Sequence, residues 1–221
     1  MSEKGMYSIQ PEANPDGNTL WKKFLDGDLN AWEQIFERYY GDLFGYGLKL
    51  TSRRELTKDG IHQLFVQLWD RREHLSEVDS VKAYLLASLR RSLLKKLKKR
   101  RKYYEDWENA ENENPQIQFS PEVILIKDEI KAEKIEALYK ALDQLPGRQK
   151  EVLYLKYFNG MSYDEIEDIL SIKYQSIKNH IYRAISNLRE IMGEDITKIA
   201  IAILPFLLVL FGLFAQYLTY Q

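Results

Sequence analysis

LPGRQKEVLYLKYFNGMSYDEIEDILSIKYQSIKNHIYRAISNLRE, residues 145–190, reads as three short helices. Val152, Leu153 and Leu155 give the first an apolar stripe, and Ile166, Ile169 and Leu170 give the second one. Ile177, Ile181, Ala184, Ile185 and Leu188 recur at three- and four-residue steps, as a longer amphipathic third helix requires. Asn159-Gly160 breaks the chain between the first two. Ser162 stands three residues before Glu165, the spacing of a capping box that satisfies the free N–H groups at a helix start. A short turn at 170–172 leads to a third helix beginning near Lys173. Its polar side offers Lys173, Tyr174, Gln175, Ser176, Lys178, Asn179 and Arg183, with His180 toward DNA or the helix flank. This is the grammar of a helix-turn-helix, whose second helix enters the major groove and reads base edges from its N-terminal half. Any three-helix bundle also has amphipathic helices, so periodicity by itself leaves plain packing as an equal alternative.

Outward from this stretch, 221 residues with 45% hydrophobic content suit one large or two small domains with real cores. The absence of cysteine excludes disulfides and thiolate metal sites and agrees with a reducing compartment. The net charge of −1 says little about partners, but the basic residues are clustered. Residues 1–19 hold Pro, Gly, Asn and Glu without the basic and apolar regions of a signal peptide, and are expected to be disordered.

A first helical domain is expected over 20–104. Trp21, Phe24 and Leu25 start it. Trp32, Ile35, Phe36, Tyr39, Tyr40, Leu43 and Phe44 follow on one broad face after Asp28, and Gly41, Gly45 and Gly47 mark a kink or a close packing. Ile61, Leu64, Phe65, Leu68 and Trp69 form the next apolar face, with Asp59, Gln63 and Gln67 opposite. Ser80 or Asp79 is placed to cap the helix after the HLSEVDS loop. Nine of the thirteen residues from Arg90 to Lys102 are basic. Leucines hold this helix to a core while Arg91, Lys95, Lys98 and Lys99 project outward, which is the electrostatic footprint of a phosphate-binding surface. Tyr103, Tyr104 and Trp107 could stack on unpaired bases. The plainer alternative is a solvated charged face.

Residues 105–121 form an acidic, Asn-rich flexible linker whose charge is suited to screening the basic run beside it. Pro121 opens the second domain, 122–194, through a long helix. Residues 199–218 carry no charge over twenty positions, enough to cross a bilayer core of about 30 Å. Pro205 is tolerated in such a helix, and Tyr217 and Tyr220 fit an interfacial belt. A transmembrane helix over 198–220 is therefore expected, anchoring cytoplasmic domains to the inner face of the membrane. The alternative is a tail helix packed on the protein. No Gly-rich phosphate loop, metal-spaced His cluster or nucleophile elbow is present, and His62, His74 and His180 are scattered, so neither catalysis nor a cofactor is expected.

Leu145-Pro146, Arg148-Gln149, Glu151-Val152, Glu165-Ile166, Ile177-Lys178 and Arg183-Ala184 closely resemble, in order and spacing, region four of bacterial sigma factors, especially the extracytoplasmic-function (ECF) group. Gly27-Asp28, Ala31-Trp32, Arg38-Tyr39-Tyr40, Asp59, Gln63, Val66, Trp69, Tyr84-Leu85 and Arg90 resemble region two of the same family. Two departures stand out. Glu167 replaces the usual small residue after the Glu-Ile pair, and Lys173 stands where a serine usually caps the third helix, leaving Ser171 as the candidate cap. The resemblance implies an all-α protein of two helical domains, binding core RNA polymerase and promoter DNA to direct transcription initiation. It nominates Asp59, Gln63 and Trp69 for the polymerase surface, though Trp69 is as readily a core residue. It assigns Arg90, Arg91, Lys95, Lys98 and Lys99 to DNA of the −10 element, with a flipped base captured near 75–82, and the helix from Lys173 to the −35 element. It also implies an anti-sigma factor. The membrane tail is no part of the family pattern. The alternatives are a DNA-binding regulator that does not join polymerase and a membrane-tethered adaptor that binds only protein.

Overall fold

The computed structural model describes residues 16–104, 117 and 129–193. All regular structure among them is helical. The first domain contains α1 (Gly17–Leu25), α2 (Leu29–Thr51), α3 (Arg54–Arg71), a single 3-10 turn (Arg72–His74) and α4 (Val81–Tyr104). The second contains α5 (Glu129–Gln144), α6 (Gly147–Leu153), α7 (Tyr163–Leu170) and α8 (Tyr174–Met192).

Local chemistry sets the helix ends. Asp16 starts α1 earlier than its first apolar residue suggests, because its carboxylate accepts from the Thr19 N–H at 2.6 Å. Asp28 caps α2 by accepting from Asn30 and Ala31 N–H groups. Ser80, rather than Asp79, caps α4, its hydroxyl accepting from Ala83 N–H at 3.2 Å. The α2–α3 turn passes through Ser52 at φ 54° and is closed by the buried Thr51 and Thr57 hydroxyls, 3.0 Å apart.

The glycines of α2 do not interrupt it; the helix runs unbroken from Leu29 to Thr51. Gly47 instead admits α4. A Cβ there would lie 2.7 Å from Thr57 Cγ2 and 3.2 Å from a Leu93 methyl, and one on Gly60 of α3 would lie 2.6 Å from the other Leu93 methyl. Leu89 and Leu93 thus seat α4 directly against the backbones of α2 and α3, and the buried side chains of both domains join in one continuous apolar cluster. Within and against it, Trp21, Phe24, Trp32, Phe65 and Trp69 form a set of ring contacts linking α1, α2 and α3.

The second domain follows the expected order. α6 widens into a π-helical turn over Tyr154–Phe158 before Asn159-Gly160 reverses the chain, Gly160 taking φ 68°. The Ser162–Glu165 capping box is present in both directions, at 2.7 and 3.1 Å. Of the expected linker only Ile117 is described, and it is fully buried. The expected membrane helix over 198–220 lies outside the described residues; among those, no helix is long and apolar enough to cross a membrane.

Candidate nucleic-acid interface

α8 buries Ile177, Ile181, Ala184, Leu188 and Met192 and turns its other side to solvent. Lys173, Tyr174, Gln175, Lys178, Asn179 and Arg183 are exposed, and Ser176 and His180 are half-buried on its flanks. The polar face is ordered from within. Gln175 donates through Nε2 to Asn179 Oδ1 at 3.2 Å, and the Lys178 ammonium sits 5.1 Å over the Tyr174 ring, each pair one helical turn apart. His180 is held below its ordinary value of 6.5 by partial burial and then by the Arg148 and Arg183 charges, so it stands neutral beside those cations at pH 7.

The cap of α8 corrects the sequence reading. Ser171 adopts φ 53° and ends α7 rather than starting α8. The Tyr174 N–H instead donates to the carboxylate of Glu167 at 3.0 Å. The residue that departs from the family pattern therefore replaces the missing serine cap and places its negative charge at the positive end of the helix. Tyr182 was missed altogether. It is 73% exposed and lies seven residues beyond Gln175, on the same face as Gln175 and Asn179. That spacing was its only signal.

On α4, Arg91, Lys95, Lys98 and Lys99 are exposed as expected. Between α3 and α4 runs a cleft of about 540 Å³ lined by Gln63, Gln67, Arg71, Arg91, Lys95 and Lys99 among others. Arg90 departs from this group. Its guanidinium turns away from the exposed face toward the second domain, where Nε donates to Glu151 at 2.8 Å. Asp59 and Gln63 are exposed one turn apart on α3, and the exposed Val66 follows them on that face. Trp69 is half-buried against Phe24 and Trp32, with the Arg72 guanidinium 4.8 Å above its ring.

The loop between α3 and α4 is tied down by α1. Trp21 Nε1 donates to the Ser76 carbonyl at 3.0 Å, Asn18 donates to the Asp79 carbonyl at 3.2 Å, and Lys22 pairs with Glu77 at 3.0 Å. Among the described residues no group of His, Cys, Asp and Glu could hold a metal ion.

Comparison with known proteins decides what this pair of surfaces belongs to. Residues 35–103 match the family model for sigma-70 region 2, and residues 135–188 match that for sigma-70 region 4. The chain belongs to the sigma-70 family, in its ECF group. ECF sigma factor SigX of Bacillus subtilis is 21% identical over 177 residues, covering 75% of this chain and 87% of that one. SigM of the same organism is 21% identical over 173 residues, covering 74% and 96%. Sigma factor SigV of that organism is 33% identical over a shorter stretch of 61 residues, so the match spans only 37% of its length. Two solved structures share the fold. CnrH, in complex with the cytosolic domain of CnrY, has a TM-score of 0.54 at 15% identity and covers 80% of this chain and 97% of its own. Sigma factor RpoE of Bartonella quintana, in complex with the anti-sigma factor NepR, has a TM-score of 0.55 at 20% identity and covers 76% and 99%. This sigma factor binds core RNA polymerase and directs promoter recognition at the start of transcription.

Proposed function

We propose a division of this work among named residues. α8 reads the −35 element through Lys173, Tyr174, Gln175, Ser176, Lys178, Asn179, His180 and Arg183. Arg91, Lys95, Lys98 and Lys99 hold the phosphates near the −10 element, joined by Arg90 when it is released from Glu151. Asp59, Gln63 and Trp69 contribute to the polymerase surface, with Asp59 and Gln63 making its exposed part. The observation that carries this reading is the one-sided exposure of α8: Ile177, Ile181, Ala184 and Leu188 are buried while its polar face stands in solvent, already ordered by side-chain contacts. Such a face meets base edges without first reorganising, and the lysines and arginines supply the salt-dependent part of the affinity.

The finer assignments extend beyond the described residues. The uncharged segment 199–218 anchors the sigma factor to the inner face of the membrane and leaves both helical domains in the cytoplasm. An anti-sigma factor is a partner of this chain, as the anti-sigma factor NepR is of the RpoE that shares its fold. Run-off transcription with purified core polymerase and a chain ended after Glu194, on a library of promoter fragments, tests the division of labour. Initiation is expected, with loss on changing Asp59 and Gln63 to Ala together. Initiation that survives that double change would remove α3 from the polymerase surface.

A further inference from the structure

The polar side chains at the start of α8 are all able to donate. Lys173, Tyr174, Gln175, Ser176, Lys178 and Asn179 each carry an N–H or O–H group, and α8 holds no carboxylate before Glu190. An acceptor-only group reaches this turn from α7. Oε2 of the half-buried Glu167 accepts from the Tyr174 N–H at 3.0 Å, while Oε1 has no hydrogen-bond or ion-pair partner among the described residues. The turn that receives it is fixed from other sides as well. The Tyr163 ring, at the start of α7, meets the Tyr174 ring with centroids 5.2 Å apart. The Lys156 ammonium lies 4.7 Å over Tyr163 and the Lys178 ammonium 5.1 Å over Tyr174. One carboxylate oxygen is thus held against the first turn of α8 and the other is left open.

We propose that Glu167 is a specificity-determining residue of promoter recognition: its open oxygen accepts from the exocyclic amine of a cytosine in the −35 element. The inference rests on the reading of α8 as the helix that enters the major groove there, with its N-terminal half on the base edges. In that groove cytosine shows a donor, the N4 amine. Guanine shows two acceptors, thymine an acceptor and a methyl, and adenine a donor beside an acceptor. A carboxylate therefore suits cytosine alone, whereas the lysines and amides of α8 suit bases that carry acceptors.

Discrimination by this residue works through penalty as much as attraction. A carboxylate pressed against guanine or thymine loses its hydration and gains no partner, and its charge opposes the phosphates on either side of the groove. A site without cytosine at that position is then bound less well than it would be by an uncharged side chain. The bond to Tyr174 limits the rotamers open to Glu167, so little further ordering is needed when the base arrives. The positive end of α8 offsets part of the repulsion. Capping and reading are compatible because they use different oxygens.

Glu167→Gln separates the two roles, since the amide still offers an oxygen to the Tyr174 N–H and a cap alone predicts no change in base preference. The full chain, bound to core polymerase, is selected on duplex DNA with a randomised segment, beside Glu167→Gln and Asn179→Ala. The parent is expected to enrich cytosine at one position of the −35 element. Glu167→Gln should lose that preference by about tenfold and move it toward adenine, whose N6 and N7 suit an amide. A base preference unchanged at every position by Glu167→Gln, while Asn179→Ala relaxes one, would overturn the inference and leave α8 as the reading helix. If neither variant relaxes any position, the reading of α8 falls and the inference with it. The DNA side gives a test that needs no variant. N4-methylcytosine keeps its pair with guanine but puts a methyl where the amine faces the groove. At the preferred position it should weaken the parent about tenfold and leave Glu167→Gln nearly unchanged. Equal binding of methylated and plain DNA by the parent would overturn the contact.

Discussion

Glu167 shows how a single side chain can take over a role that the family pattern gives to another. A seven-residue reach across the turn brings its carboxylate to the Tyr174 N–H, where Lys173 has no oxygen to offer. Glu167→Ala should cost about 1 kcal/mol, the usual loss for a helix N-cap, read as a lower urea midpoint of the second domain. Glu167→Gln keeps an acceptor and should recover most of that loss. The Ser162–Glu165 box was legible in the sequence because both partners lie within one turn of the helix they cap. The Glu167 cap was not, because it depends on how α7 and α8 cross. Arg90 illustrates the same limit at greater range. Its charge could be read directly, but its direction is set by a carboxylate 61 residues away.

At the scale of the helices, the periodicities of α2, α3, α7 and α8 carried the reading, since a buried stripe at three- and four-residue steps repeats over several turns. What the pattern left open was the meaning of the glycines. Gly47→Ala and Gly60→Ala should each destabilise the first domain by about 1–3 kcal/mol, because the new methyl meets Thr57 or Leu93 in a closed core. Gly41→Ala, with open space around it, should instead stabilise α2 by up to about 1 kcal/mol. Thermal unfolding of the three variants gives the order directly. The exposed basic side of α4 makes a different prediction. Lys95→Gln and Lys99→Gln should each lower the salt slope of DNA binding by about 1 if the residue contacts a phosphate, with little change in sequence preference. Titrations at several salt concentrations measure both quantities.

For the whole molecule, the two-domain all-helical organisation was readable, because each domain carries its own complete apolar pattern. Their mutual packing was not. Glu151 reads in the sequence as a polar residue of the region-four pattern on a short helix, and nothing local says that it is fully buried by contacts from α2 and α4. Ile117 is similar: the few apolar residues of that polar segment give no period to read, yet Ile117 joins the core. The aromatic cluster of α1 to α3 has an optical consequence. Three of the four tryptophans lie there, and α5 to α8 contain none. With Trp107 of the intervening segment changed to Phe, indole emission is therefore a reporter of the first domain, while the second is silent to it and visible only through its tyrosines and its helical signal. If the domains melt separately, the tryptophan and far-ultraviolet curves should part along the urea axis. If the shared core makes them one cooperative unit, the curves should coincide, and weakening the contacts at Glu151 should be enough to pull them apart.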